Sequence, residues 1–228
     1  MRTIGMLGGM SWESTAEYYR LVNELVHERL GGYHSARVII DSVDFAEIEA
    51  AQVEDRWDDA GRQLGARARA LQDAGADLIL IATNTLHKVV DRIEASITIP
   101  VLHIADATAD AVTAHGIRRV GLLGTAYTME QDFYRDRLAG HGLDVLVPDA
   151  ADRASVHRII FDELVHGVIT DESRAAYRGV IARLVADGAE GVILGCTEIE
   201  LLVGADDSPV PVFPTTRIHV TAAVDAAL

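Results

Sequence analysis

The chain has 228 residues, 49% hydrophobic and 24% charged, enough for a sizeable core in one domain or two small ones. Its formal net charge of −15 repels nucleic acid and anionic membrane surfaces, so an anionic ligand must be held by local donors. The single cysteine excludes an intrachain disulfide and fits a reducing compartment; with no long apolar segment near the start and none of spanning length, the expected location is the cytoplasm.

Residues 2–7 read as a buried strand, followed by Gly8-Gly9-Met10 and a helix over 13–30. The glycine pair would let backbone amides approach a ligand, but LGGM lacks the dinucleotide-binding spacing. A second strand at 37–40 leads into a polar stretch, 41–52, and then a long amphipathic helix, 54–74, whose charges read as a solvated face. A third strand, 78–81, ends at Thr83-Asn84-Thr85, and 86–95 continues as helix. One helix cap uses one hydroxyl, so three adjacent polar side chains leave some for a ligand. A fourth short strand spans 100–102.

The second half repeats the plan: helix 105–115, strand 120–124, helix 129–140, strand 144–147, helices 152–166 and 172–187, strand 192–194, strand 210–212, and a final helix 215–228. GADLILIATNTLH at 75–87 matches GAEGVILGCTEI at 188–199, and Thr83 and Cys196 each lie eight residues beyond the opening glycine. IGMLGG at 4–9 likewise matches VGLLGT at 120–125, which makes Thr125 the duplicate of Gly9. We read an internal duplication: two similar α/β, doubly wound parallel-sheet domains, 1–102 and 103–214, related by a pseudo-two-fold, with residues 215–228 packing back on the first. Thr83 and Cys196 are then expected to face each other across a cleft between the domains.

Cys196 is expected at a strand end and a helix N-terminus, where partial positive charge favours thiolate. The competing reading is a buried structural cysteine. Glu198, two residues on, either orients or takes a proton, or simply adds favourable first-turn charge. None of the nine histidines has metal-ligand spacing; Glu163 and His166, three apart on a helix, read as surface residues. A Schiff-base cofactor would need Lys88, the only lysine, which reads as a helix-surface residue. No metal and no cofactor are expected.

LGGMSWEST, ATNTLHK and LGCTEIELL, with HIADAT at 103–108 and YTMEQDFYR at 127–135, resemble the cofactor-independent aspartate/glutamate racemases over essentially the whole chain. The resemblance implies two α/β domains around a cleft, a homodimer, an amino-acid substrate, and a cysteine at each strand end on opposite faces of the substrate Cα. Cys196 matches the second of these cysteines, but Thr83 stands where the first is usual. A thiol is a few per cent ionised at neutral pH, whereas a threonine alkoxide is out of reach. The expected activity is therefore a kinetically asymmetric racemisation of aspartate or glutamate, with Cys196 removing the proton of the L-substrate. Backbone amides at Met10, Asn84 and Thr197 and side chains at Asn84, Thr85 and Thr197 are candidates to stabilise the charge on the substrate carboxylate, with Gln52, Thr125 and Glu198 also lining the site. Two alternatives stay open: a decarboxylase of arylmalonate type, in which Cys196 protonates an enediolate, and a binding protein that has lost its catalytic pair.

Overall fold

The computed structural model describes every residue from Met1 to Leu228. It holds two four-stranded parallel sheets with surrounding helices. The chain divides into two compact units, Met1–His103 with His219–Leu228, and Ile104–Ile218.

In the first unit the chain runs β1 (Ile4–Gly8), α1 (Trp12–Leu30), β2 (Val38–Ser42), α2 (Phe45–Val53), α3 (Trp57–Asp73), β3 (Leu78–Ile81), a 3-10 turn (Thr85–Val89), α4 (Val90–Glu94) and β4 (Val101–Leu102). The strand order is β2-β1-β3-β4. Side chains alternate across a strand, so Leu7, Ile79 and Ile81 join Ile48, Leu64 and Ile93 in one apolar layer, while Ile4, Met6, Leu78 and Leu80 pack with Tyr18, Val22 and Val224 in the other. Burial on both faces is why these strands read as unbroken apolar runs.

The second unit runs α5 (Ile104–Ala114), β5 (Arg119–Gly124), α6 (Ala126–Glu130), α7 (Asp132–Gly140), β6 (Asp144–Leu146), α8 (Ala150–Asp162), a 3-10 turn (Leu164–His166), α9 (Asp171–Ala186), β7 (Gly191–Gly195), α10 (Ile199–Leu202), a 3-10 turn (Ala205–Asp207) and β8 (Val212–Pro214). Its order, β6-β5-β7-β8, repeats that of the first unit. Leu123, Val192 and Leu194 pack with α8 and α9, and Val120, Leu122 and Ile193 with α5 and α7. The last helix, α11 (Thr215–Ala227), starts in the second unit and from His219 onward belongs to the first.

Several elements depart from expectation. The polar stretch after β2 contains α2, capped by the Asp44 side chain accepting from the Ala46 amide at 3.1 Å. Its acidic residues give it a loop-like composition, yet Ile48, Ala51 and Gln52 form a buried helical face. The helix at 129–140 is two helices, parted at Gln131, whose backbone is extended at φ −90°, ψ 148°. The helices after β3 and at 152–166 include 3-10 turns, Thr85–Val89 and Leu164–His166. The last strand lies at Val212–Pro214, two residues later than expected, and just ahead of it the Pro211 carbonyl accepts from the Val192 amide at 2.9 Å. Gly9, at φ 91°, is required by close packing: a Cβ there would collide with the Val43 backbone.

Candidate active site

In an open parallel sheet, ligands bind beyond the carboxyl ends of the strands where the strand order reverses. In the first unit that point lies between β1 and β3, which lead into Gly9-Met10 and Thr83-Asn84-Thr85. In the second it lies between β5 and β7, which lead into Thr125 and Cys196-Thr197-Glu198. The ladders make these ends equivalent: Leu7 pairs with Ile81 in one sheet, Leu123 with Leu194 in the other, and two residues further on stand Thr83 and Cys196.

At the second end, Cys196 Sγ donates to Glu198 Oε2 at 2.9 Å. Cys196 keeps partial solvent access, while Glu198 is only 6% exposed. The thiol is pushed well above its ordinary value, first by desolvation, then by the charge of Glu198 and the hydrogen bond to it, with Glu200 adding less and the Glu198 backbone N–H opposing. This corrects the expectation of a thiolate favoured by a helix dipole. The helix that follows, α10, has four residues, too few peptide dipoles to offset an adjacent carboxylate. Tyr177 is buried close by and donates to the Val156 carbonyl at 3.3 Å. Burial first, then the negative charges of Glu163 and Glu198, hold its phenol protonated. Glu163 accepts hydrogen bonds from Ser173 and Arg158 and is half-buried, while His166 is exposed. Thr125 caps α6, its hydroxyl accepting from the Thr128 amide at 3.3 Å. Thr197 is buried in the turn, its carbonyl accepting from the Glu200 amide at 3.2 Å.

The first end is built on different chemistry. Thr83 is half-buried, and its carbonyl accepts from His87 Nδ1 at 2.8 Å. The His87 ring centroid lies 4.6 Å from that of His103 and 5.8 Å from that of His219. His219 Nε2 donates to the Leu102 carbonyl at 2.8 Å, which leaves Nδ1 to accept from the Tyr18 hydroxyl at 3.0 Å. Burial drives His219 down to about 3, and His87 is also pushed well below 6.5, by burial first and by His103 second. Both rings are neutral near pH 7. Asn84 and Thr85 are buried after β3, Met10 is buried after β1 within the apolar layer, and Gln52 is buried on α2.

Sequence reading tested the histidines only for metal spacing and missed this cluster; the available signal was His87 four residues after Thr83, the spacing of one helical turn. Lys88 Nζ sits 3.7 Å from the Trp57 ring centroid, and desolvation lowers its pKa. No three or more His, Cys, Asp or Glu residues are grouped to hold a metal ion, and no helix is long and apolar enough to cross a membrane.

Two repeated doubly wound sheets, each with a polar turn at its switch point and one of them carrying a cysteine, define a duplicated α/β protein. The chain belongs to the Asp/Glu/hydantoin racemase family, whose model matches residues 7–223. It is similar to the crystal structure of a candidate Asp/Glu racemase from Yersinia pestis, with 54% identity, TM-score 0.94, and 100% of this chain and 99% of the other covered. It is also similar to an aspartate racemase homologue from Pyrococcus horikoshii, with 37% identity, TM-score 0.88 and the same coverage of each chain. A broad-specificity amino-acid racemase of Bacillus subtilis is 23% identical over 146 residues, 64% of this chain and 63% of that protein.

Proposed function

We propose that the protein racemises aspartate, glutamate or both without a cofactor, with Cys196 as the acid/base on the face that meets the L-substrate. The observation that carries this reading is the equivalence of Thr83 and Cys196 in two matching sheets of a racemase-family chain. The charge that builds on the substrate carboxylate is assigned to Met10, Asn84, Thr85 and Thr197, with Gln52, Thr125 and Glu198 as further substrate-binding residues. The enzyme works in the cytoplasm as a homodimer; the single cysteine supports the location and the family resemblance the assembly.

Thr83 cannot ionise as a thiol does, so it donates a hydrogen bond or holds a water that supplies a proton slowly. The carbanion left by Cys196 is then usually reprotonated from the side on which it formed. Equilibrium still binds the catalyst: enantiomers have equal free energy, so kcat/KM must match in both directions. The asymmetry is one of exchange against inversion, not of direction.

A product assay tests the reading. Incubated with L-aspartate or L-glutamate, without metal or pyridoxal phosphate, the protein should exchange the α-proton and form the D-enantiomer. Release of carbon dioxide from an arylmalonate, with no change at an amino acid, would make it a decarboxylase, the reading a single cysteine also favours. Binding with neither reaction would make it a binding protein.

A further inference from the structure

One titratable ring stands behind the β5 strand end and takes no part in proton transfer at Cys196. His157, half-buried on α8, accepts at Nδ1 from the Ala126 amide at 3.1 Å. We propose that His157, in its neutral form, is a positioning residue for the substrate-binding turn that follows β5. This rests on the racemase reading above, which gives Thr125 a place in that turn.

The turn has little structure of its own to fix it. β5 ends at Gly124, and α6 has only five residues. Thr125 secures part of it: its hydroxyl accepts from the Thr128 amide at 3.3 Å and its carbonyl from the Met129 amide at 3.0 Å. The first amide of the helix, Ala126 N–H, is beyond the reach of any carbonyl within it. A ring on another helix takes that amide instead. The ring is itself held, its centroid 4.7 Å from that of Phe161 and 6.2 Å from that of Tyr127. Val156, Ile159 and Ile160 seat α8 in the core. The Ala126 amide is therefore aimed by a packed element rather than by solvent.

The bond depends on protonation. A ring nitrogen that accepts from an amide carries no proton, so the single proton of the neutral ring sits on Nε2. Protonating the ring puts an N–H at Nδ1 against the Ala126 N–H, and the bond is lost. From α6, Glu130 faces the ring and is paired with Arg153 at 2.9 Å; from α8 itself comes Asp162. From α9 come Tyr177, a protonated phenol bonded to the Val156 carbonyl, and Arg183, paired with Asp152. Burial lowers the ring's pKa below 6.5 and outweighs Glu130 and Asp162, which raise it. The turn is held at pH 7 and released in acid.

Two variants separate positioning from general support of the fold. His157→Leu removes the acceptor. His157→Asn puts an amide oxygen where Nδ1 stands, so the bond can form but cannot titrate. With L-aspartate at pH 7.5, His157→Leu should raise KM for α-proton exchange about 10-fold, the effect of one hydrogen bond left unmade, while kcat stays within about twofold. His157→Asn should bring KM back to within about threefold of the wild type. From pH 7.5 to pH 5 the wild-type KM should climb towards that of the Leu variant, and KM of both variants should change by less than about twofold. In nitrogen-15 NMR spectra the Ala126 amide should shift with the midpoint of the His157 ring and stay still in His157→Asn. An unchanged KM in His157→Leu, or a wild-type pH dependence that persists in His157→Asn, overturns the proposal. If the Leu variant does not fold, the Asn variant and the amide titration decide, and an Ala126 amide that ignores the ring refutes the assignment. A wild type that exchanges no α-proton of L-aspartate or L-glutamate defeats the racemase reading instead, and the amide titration still reads whether His157 holds the turn.

Discussion

The two strand ends share topology and register but not chemistry. After β7 the chain places a protonated thiol against a buried carboxylate, with a buried phenol that keeps its proton and a further carboxylate close by. After β3 it places a threonine whose backbone is fastened by His87, a neutral, buried ring that packs beside the equally neutral His219. A duplicated scaffold thus carries a thiol–carboxylate pair at one end and a threonine backed by histidines at the other. The lesson is that topology sets where the reacting groups stand, while the residues packed behind each turn decide whether that turn can move a proton.

The comparison breaks most completely if the acid/base end is removed. Cys196→Ala should lower α-proton exchange at least about 1000-fold, towards the upper part of the range for a general acid–base group, with the thermal melt unchanged. Exchange at the wild-type rate would take Cys196 out of the mechanism.

The histidine end should fail in acid. His219 has a folded value of about 3 against 6.5 for the free side chain, so between those values the unfolded chain binds more protons. Stability must then fall as pH drops through that window, by on the order of 5 kcal/mol for this residue, and His87 adds in the same direction. Denaturant melts from pH 7 to pH 4 should show this slope, and His219→Gln should flatten it. A slope equal to that of the wild type would mean that the histidines are not buried as neutral groups.

Giving the first end a thiol sharpens the comparison. Thr83→Cys should raise the ratio of D-product formation to α-proton exchange by roughly 10-fold, bringing it towards one, since a thiol supplies a far-face proton that threonine cannot. The smallest effect concerns the turns themselves. Thr125→Ala removes the hydroxyl that caps α6 and should cost about 1 kcal/mol in a chemical melt, whereas Thr125→Ser should be close to neutral.

Much of this is legible in the sequence. The strands at 78–81 and 192–194 are continuous apolar runs because both faces are buried, and the matching glycine-to-turn spacing reveals the repeat. Thr83 and Cys196 can be located because each follows such a run directly. What stays hidden depends on packing. The α2 helix is masked by its acidic residues. The state of the Cys196 thiol is not readable from its place in the chain, because one turn of helix contributes less than an adjacent carboxylate and desolvation. The cluster of Tyr18, His87 and His219 joins residues far apart in the chain, and only the fold brings them together.

The central claim is that proton removal at Cys196 outpaces proton return at Thr83. It is tested most directly by following L-aspartate and L-glutamate with the wild-type protein in deuterium oxide, reading α-proton loss by NMR and D-product by chiral chromatography in the same sample. The account predicts that the L-substrate gains deuterium faster than the D-enantiomer appears. Equal rates would contradict it, because Thr83, or a water it holds, would then donate a proton as well as a thiol does.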